Sequence, residues 1–221
     1  MCCLSEKEKP SISRRGFLKA ASVTAASTLA ESLHAVARET NESSRRPQTS
    51  GPGAVPIVLH VNGVAYPLPV EPRMTLAEAL RDSLSLTGTK VVCDRGSCSA
   101  CTVWIDKVPT LSCMTLAIDV GSRNITTIEG IASGNQLHPL QAAFVKHDAM
   151  QCGFCTPGMV MSCVALLDRN PNPTLDDVKH AVSGNLCRCG TYPKIFAATL
   201  EVAQTNKSNR QVISTGSEEG A

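Results

Sequence analysis

Eight of the chain's eleven cysteines stand in two groups of four. The first group is Cys93, Cys98, Cys101 and Cys113, spaced C-x4-C-x2-C with a fourth cysteine further on. This is the plant-type spacing for a [2Fe–2S] cluster, in which three thiolates converge from one loop and a fourth arrives from a neighbouring element. Asp94 to Ala100 holds Gly96 and small residues, so the loop can wrap closely and turn its amides toward sulfur. The second group is Cys152, Cys155, Cys187 and Cys189, a C-x2-C pair followed by a C-x-C pair. Each pair is expected in a connection between two helices at one end of a bundle, where helix N-termini favour the thiolate form.

Two other chemistries compete for cysteines. An exported chain can form disulfides. Without Cys2 and Cys3, however, nine cysteines remain, an odd number, and a disulfide framework does not require this grouping. Cys2 and Cys3 precede the apolar stretch, so they do not fit a lipoprotein cleavage site. Cys163 is left over inside an apolar helical segment and reads as a core residue. Zinc is the stronger rival for the second group, because closely spaced cysteine pairs also bind zinc.

The rest of the chain predicts an α+β protein. Ile57 to Val61 has strand composition, Asn62-Gly63 is a two-residue hairpin turn, and Val64 to Val70 returns as a second strand. Thr75-Leu76-Ala77-Glu78 is a capping box, followed by Leu76, Ala79, Leu80 and Leu84 at helical spacing. Gly88 lies at or just beyond the end of that helix. Thr102 to Ile105 reads as a strand, Asp106-Lys107 as a turn, and Asn124 to Ile128 as a further strand. This order suggests a β-grasp domain over residues 55–132. From 133 to 206 the pattern is helical. Pro139 opens one helix, with Leu140, Ala143, Phe144 and His147 along one side. Thr156-Pro157 reads as a cap and first helical residue for a second, running to about Asp168. Thr174 with Asp177 caps a third, ending near Gly184, and Pro193 opens a fourth, running to about Thr205. The expectation is a small four-helix bundle, with 207–221 as a disordered tail.

The first 37 residues read as a signal peptide. Ser13-Arg14-Arg15-Gly16-Phe17-Leu18-Lys19 is a twin-arginine pattern, followed by an apolar stretch from Ala20 to Ala30 and a small-x-small site at Ala35-Val36-Ala37. The apolar run is far shorter than the ~20 residues that span a bilayer, so no membrane span is expected. The twin-arginine route exports folded proteins, which suits a metal cofactor inserted before export, and it predicts a periplasmic location. Residues 38–54 are polar and rich in Ser, Arg, Pro and Gly, as in a flexible linker. A net charge of +2 and 3% aromatic residues offer neither a phosphate-binding surface nor a base-stacking platform, so no nucleic-acid partner is expected.

Around the two cysteine groups the chain resembles a known family, the iron–sulfur subunits of the molybdenum hydroxylases, the group of xanthine dehydrogenase and aldehyde oxidoreductase. The resemblance is carried by Gly88-Thr89-Lys90 leading into Cys93-Asp94-Arg95-Gly96-Ser97-Cys98-Ser99-Ala100-Cys101-Thr102-Val103, by Ile125 to Gly130, and by His138-Pro139-Leu140-Gln141. Gln151-Cys152-Gly153-Phe154-Cys155-Thr156-Pro157-Gly158 and Ser183 to Tyr192 complete it, so that it spans about Ile57 to Ala203. The leader makes it look most like the small subunit of periplasmic aldehyde oxidoreductases. The resemblance implies a plant-type ferredoxin domain followed by a helical [2Fe–2S] domain. It further implies a large molybdopterin-binding catalytic partner, and FAD on another subunit or a cytochrome as acceptor. Electrons would pass from the partner to the second group, then to the first, then onward. By the same resemblance Gln151 and Cys189 lie against the pterin of the partner. Ser99 departs from the family, which usually has Gly there.

The chain itself has no catalytic residues to name: no nucleotide-binding glycine loop, no Ser/His/Asp set, and His60, His138, His147 and His180 scattered as packing or surface residues. Asp176-Asp177 reads as a charged first helical turn. The expected role is a non-catalytic electron-transfer subunit of an oxidoreductase. The alternative is a free-standing soluble ferredoxin-type carrier, which would call for an acidic, self-sufficient surface.

Overall fold

The structure, a computed structural model, describes residues 51–215, with side chains through residue 208. The twin-arginine segment, nearly all of the expected linker and the last residues of the expected tail lie outside the described residues.

The sheet grows from its turns. β1 (Val55–Val61) and β2 (Val64–Val70) form an antiparallel hairpin, with Val61 paired to Val64. Asn62 and Gly63 connect them at φ of 52 and 81, the left-handed geometry that a tight hairpin turn requires. A second hairpin, β3 (Thr102–Ile105) and β4 (Val108–Leu111), closes the same way through Asp106 and Lys107 at φ of 49 and 65. Sequence reading does not give β4, a four-residue strand interrupted by Pro109. β5 (Asn124–Thr126) joins the hairpins, parallel to β1 and antiparallel to β3, so the sheet order is β2-β1-β5-β3-β4. Both edge strands carry proline, Pro67 and Pro69 in β2 and Pro109 in β4.

Across one face of the sheet lies a short helix, α1 (Leu76–Glu78). Thr75 caps it as expected: its hydroxyl accepts from Glu78 N, and Glu78 Oε2 accepts from Thr75 N at 2.7 Å. The α-helix does not continue to Leu84. It widens over Ala79–Ser83 into a π-type turn closed by Leu84 N→Ala79 O at 3.1 Å. Leu76, Ala77, Ala79 and Leu80 are all fully buried; the first core gathers round Leu76, Ala79 and Leu80 with Leu59, Val61, Val70, Val103 and Ile125, while Ala77 packs with Cys101 and Cys113.

The second half is four helices: α2 (Pro139–Lys146), α3 (Thr156–Arg169), α4 (Leu175–Ala181) and α5 (Tyr192–Thr215). His138 caps α2, its Nδ1 accepting from Leu140 N at 3.1 Å while Gln141 Oε1 accepts from His138 N at 2.9 Å. Thr174 and Asp177 cap α4 reciprocally. Several boundaries differ from the sequence reading: β5 ends at Thr126 and Ile128 begins a 3-10 turn, α4 ends at Ala181 rather than near Gly184, and α5 opens at Tyr192 rather than Pro193. Cys155, with helical backbone angles and its carbonyl accepting from Met159 N, takes the cap position of α3, which makes Thr156 a helical residue. α5 runs past Thr205 into the segment expected to be a tail, because no Gly or Pro interrupts it between Pro193 and Gly216. Leu140, Phe144, Met159, Met161 and Ile195 fill the core of this half. Each such burial contributes about 1.5–3 kcal/mol, more than one turn hydrogen bond, so the core fixes where the connections between helices lie.

The two cores meet at β3, and all four of its residues are buried. Val103 and Ile105 point into the sheet core, while Trp104 belongs to the helical core and donates from Nε1 to Met161 O at 3.0 Å. A strand covered on both faces reads as a continuous apolar run.

Candidate metal centres

The first cysteine group sits where the chain leaves α1 and enters β3. Cys93 and Cys98 come from the loop, Cys101 immediately precedes β3, and Cys113 stands in a single 3-10 turn, Ser112–Met114, after β4. Cys98, Cys101 and Cys113 are buried and Cys93 is half-buried. The loop reaches this shape through left-handed residues: Asp94, Gly96 and Ser99 have φ of 51, 73 and 54. At Gly96 a Cβ would also press on Met114 Cγ at 3.1 Å. Ser99 stands in the left-handed region, where a side chain costs about 1 kcal/mol. Its carbonyl accepts from Thr102 Oγ1 at 2.8 Å.

The thiols of this group lie near enough to shift one another's ionisation, Cys98 acting on Cys93, and Cys101 with Cys93 on Cys113. A hydrogen bond from the Arg95 amide, helped by Cys98 and by the Ser97 amide at 3.3 Å, outweighs burial and brings the Cys93 thiol down to about 7. Burial, together with Cys101, pushes Cys113 up to about 11.

The second group is made by two helix connections. Cys152 and Cys155 lie between α2 and α3, Cys187 and Cys189 between α4 and α5. Both pairs directly precede a helix N-terminus, whose free amides and dipole favour anionic sulfur. Cys152 is exposed; Cys155, Cys187 and Cys189 are half-buried. Cys155 hydrogen-bonds with Cys187. Burial, with Cys187 beside it, pushes Cys155 up to about 12. At Cys187 burial is opposed and outweighed by hydrogen bonds from Thr191, whose Oγ1 is 3.3 Å away, from Cys155 and from the Gly190 amide, and the thiol falls to about 7. Hydrogen bonds thus lower Cys93 in the first group and Cys187 in the second, each to about 7.

Each group supplies the four thiols that one [2Fe–2S] cluster takes, and none of the nine described cysteines is in a disulfide. A [2Fe–2S] cluster places its four cysteinates as two on each iron, whereas structural zinc draws four ligands to one point. A cavity of about 430 Å3 opens between the groups, lined by Cys93, Cys98, Cys152, Cys155 and Cys187. Gln151 is exposed in the turn just before Cys152 and is not part of a helix end. Cys163 is fully buried in α3, as its apolar surroundings in sequence suggest.

A tight seam joins the two groups. Gly158, in the first turn of α3, lies against the first loop so closely that a Cβ there would stand 2.2 Å from Ser99 O and 3.1 Å from Ala100 Cα. Asn185 Nδ2 donates to Ser99 O at 3.3 Å, and Leu186 N donates to Cys98 O at 3.1 Å. Sequence reasoning gives Asn185, Leu186 and Tyr192 no role of their own. The signal available was an asparagine and a tyrosine flanking a C-x-C pair.

Comparison with known proteins agrees with this geometry. Residues 59–117 match the 2Fe-2S iron-sulfur cluster binding domain family and residues 127–200 the [2Fe-2S] binding domain family. The chain is 40% identical over 220 residues to the aldehyde oxidoreductase iron-sulfur-binding subunit of Escherichia coli (strain K12), covering 90% of this chain and 91% of that one. It is 47% identical over 147 residues to the nicotine 6-hydroxylase small subunit of Paenarthrobacter nicotinovorans, covering 66% and 88%. Among solved structures, quinoline 2-oxidoreductase from Pseudomonas putida 86 superposes with a TM-score of 0.68 at 43% identity, covering 71% of this chain and 98% of that one.

Proposed function

The chain belongs to the family of iron–sulfur subunits of the molybdenum hydroxylases, and from that premise we propose that its eight grouped cysteines are the ligands of its two [2Fe–2S] clusters and that the seam between them is the electron route. The chain is a non-catalytic subunit: it carries electrons away from a molybdopterin-bearing partner, where substrate is oxidised. When bound, the clusters supply two one-electron sites. The protein's part is to hold them, to shield them and to connect them.

One observation carries the route. Cys98, a residue of the first group, is joined through its carbonyl to the amide of Leu186, the neighbour of Cys187 in the second group, by a 3.1 Å hydrogen bond. Covalent chain and one hydrogen bond thus connect thiol to thiol. The order of transfer is the one the family resemblance implies, with Gln151 and Cys189 of the second group against the partner's pterin; the exposure of Cys152 and Gln151 supports turning that group toward the partner. The buried first group passes electrons on to FAD on a further subunit or to a cytochrome. Aldehydes are the substrate class favoured for the assembly, on the strength of the E. coli relative. Export by the twin-arginine route to the periplasm, with residues 1–37 removed, completes the reading, along with the division at 55–132 and 133–206. Among the described residues no helix is long and apolar enough to cross a membrane.

Anaerobic purification of the tagged chain with its neighbours tests this. The expected result is about four iron and about four labile sulfide per chain, a brown colour bleached by dithionite, and a large molybdenum-containing subunit in the same peak. Stoichiometric zinc without colour, or a chain that always purifies alone with intact clusters, would overturn it.

A further inference from the structure

Leu186 carries the amide that meets Cys98, yet its own side chain does not hold it there, being 58% exposed. The restraint comes from either side. Asn185 is 4% exposed, with its side chain spent on two contacts: Oδ1 accepts from Ser162 Oγ of α3 at 3.0 Å, and Nδ2 donates to Ser99 O. The main chain on both sides of Leu186 is tied to a single atom. Tyr192 Oη donates to Asn185 O at 2.9 Å and accepts from Cys187 N, also at 2.9 Å. A phenol can do both at once, because it has one proton and free lone pairs. Tyr192 is the first residue of α5, and Ile195 and Ala198 anchor that helix with no exposure at all.

We propose that the Tyr192 hydroxyl is a positioning group for electron passage between the two cysteine groups: by bridging Asn185 O and Cys187 N it fixes the turn that presents Leu186 N–H to Cys98 O. This role rests on the relay function above. In the passage one electron leaves the second group's cluster, which is oxidised, and reaches the first group's, which is reduced, with no proton or bond exchanged. The bridge has a second effect. It occupies the Cys187 amide, a donor that would otherwise be free to turn toward sulfur, and donors to sulfur favour the reduced, more negative cluster.

The test is Tyr192→Phe in the assembled complex, with potentiometric EPR titration and pulse-radiolysis measurement of transfer between the clusters. Both EPR signals should persist at full intensity. Transfer should slow several-fold, and the second cluster's midpoint should move to a more positive value while the first cluster's stays put. Unchanged potentials and an unchanged transfer rate in a fully loaded variant would overturn the proposal. Asn185→Ala, which removes the donor to Ser99 without adding a buried charge, provides a second probe if the phenylalanine variant fails to load. It should also slow transfer without moving the first cluster's midpoint, and unaltered transfer there counts against the proposal. Wild-type complex lacking either cluster signal would overturn the relay function itself.

Discussion

The two cysteine groups solve one chemical problem in opposite ways. In the sheet half a single strained loop brings three thiols together, three of the four cysteines are buried, and left-handed residues do the shaping. In the helical half two helix connections bring pairs together, none of the group's four cysteines is buried, and the bundle core does the positioning. Both use left-handed residues, but at the helix connections the turns beside the cysteines fall on Gly153 and Gly190, which adopt that conformation freely, whereas the loop asks it of Asp94 and Ser99; the loop encloses its site and the helix ends leave theirs open. The enclosed group suits an inner station on an electron route and the open one suits contact with another protein.

The largest effect that would break this comparison is on loading. Cys98→Ser should remove the first group's EPR signal and lower the iron content from about four to about two per chain, leaving the second signal intact. Loss of both signals together would show that the halves load as one unit. A smaller effect probes the seam. Gly158→Ala places a methyl group against the Ser99 and Ala100 backbone, which cannot move without the loop, and should destabilise the protein by about 1–3 kcal/mol in chemical denaturation. Gly184→Ala meets only the Ser99 hydroxyl, at 3.3 Å, so its midpoint should stay near wild type. The smallest effect is on pH and belongs to the helical half. Burial holds His138 below the ordinary histidine range, although Asp168 opposes this, and its Nδ1 must be unprotonated to cap α2. The folded state then binds fewer protons than the unfolded one. Its contribution is complete above the ordinary histidine range and is lost as pH falls from there toward the depressed value, by at most about 1 kcal/mol, the size of one cap. His138→Asn should keep the cap and flatten that part of the stability–pH curve; an unchanged curve would remove His138 from the account.

Much of this was legible in sequence where the signal is local. The Asn62-Gly63 turn, the Thr75/Glu78 and Thr174/Asp177 boxes and the His138-Pro139 start are each written within a few residues, and the structure has all of them. The cysteine spacings were legible for the same reason. β4 was not, because four residues with an internal proline carry no period. The π-type turn at Ala79–Ser83 was hidden because its apolar spacing is also that of an ordinary helix. Contacts between distant segments were beyond reach: nothing near Trp104 says that its indole will find Met161 O, and nothing near Asn185 names Ser99.

The prolines at both margins of the sheet have a consequence for assembly. Pro67, Pro69 and Pro109 lack an N–H, so both borders of the five-stranded sheet offer fewer donors to an added strand. Fibre-like growth and recruitment by strand donation are thereby disfavoured, which shifts contact with neighbouring proteins to side-chain surfaces, helix ends and loops, among them the connections that carry the second cysteine group.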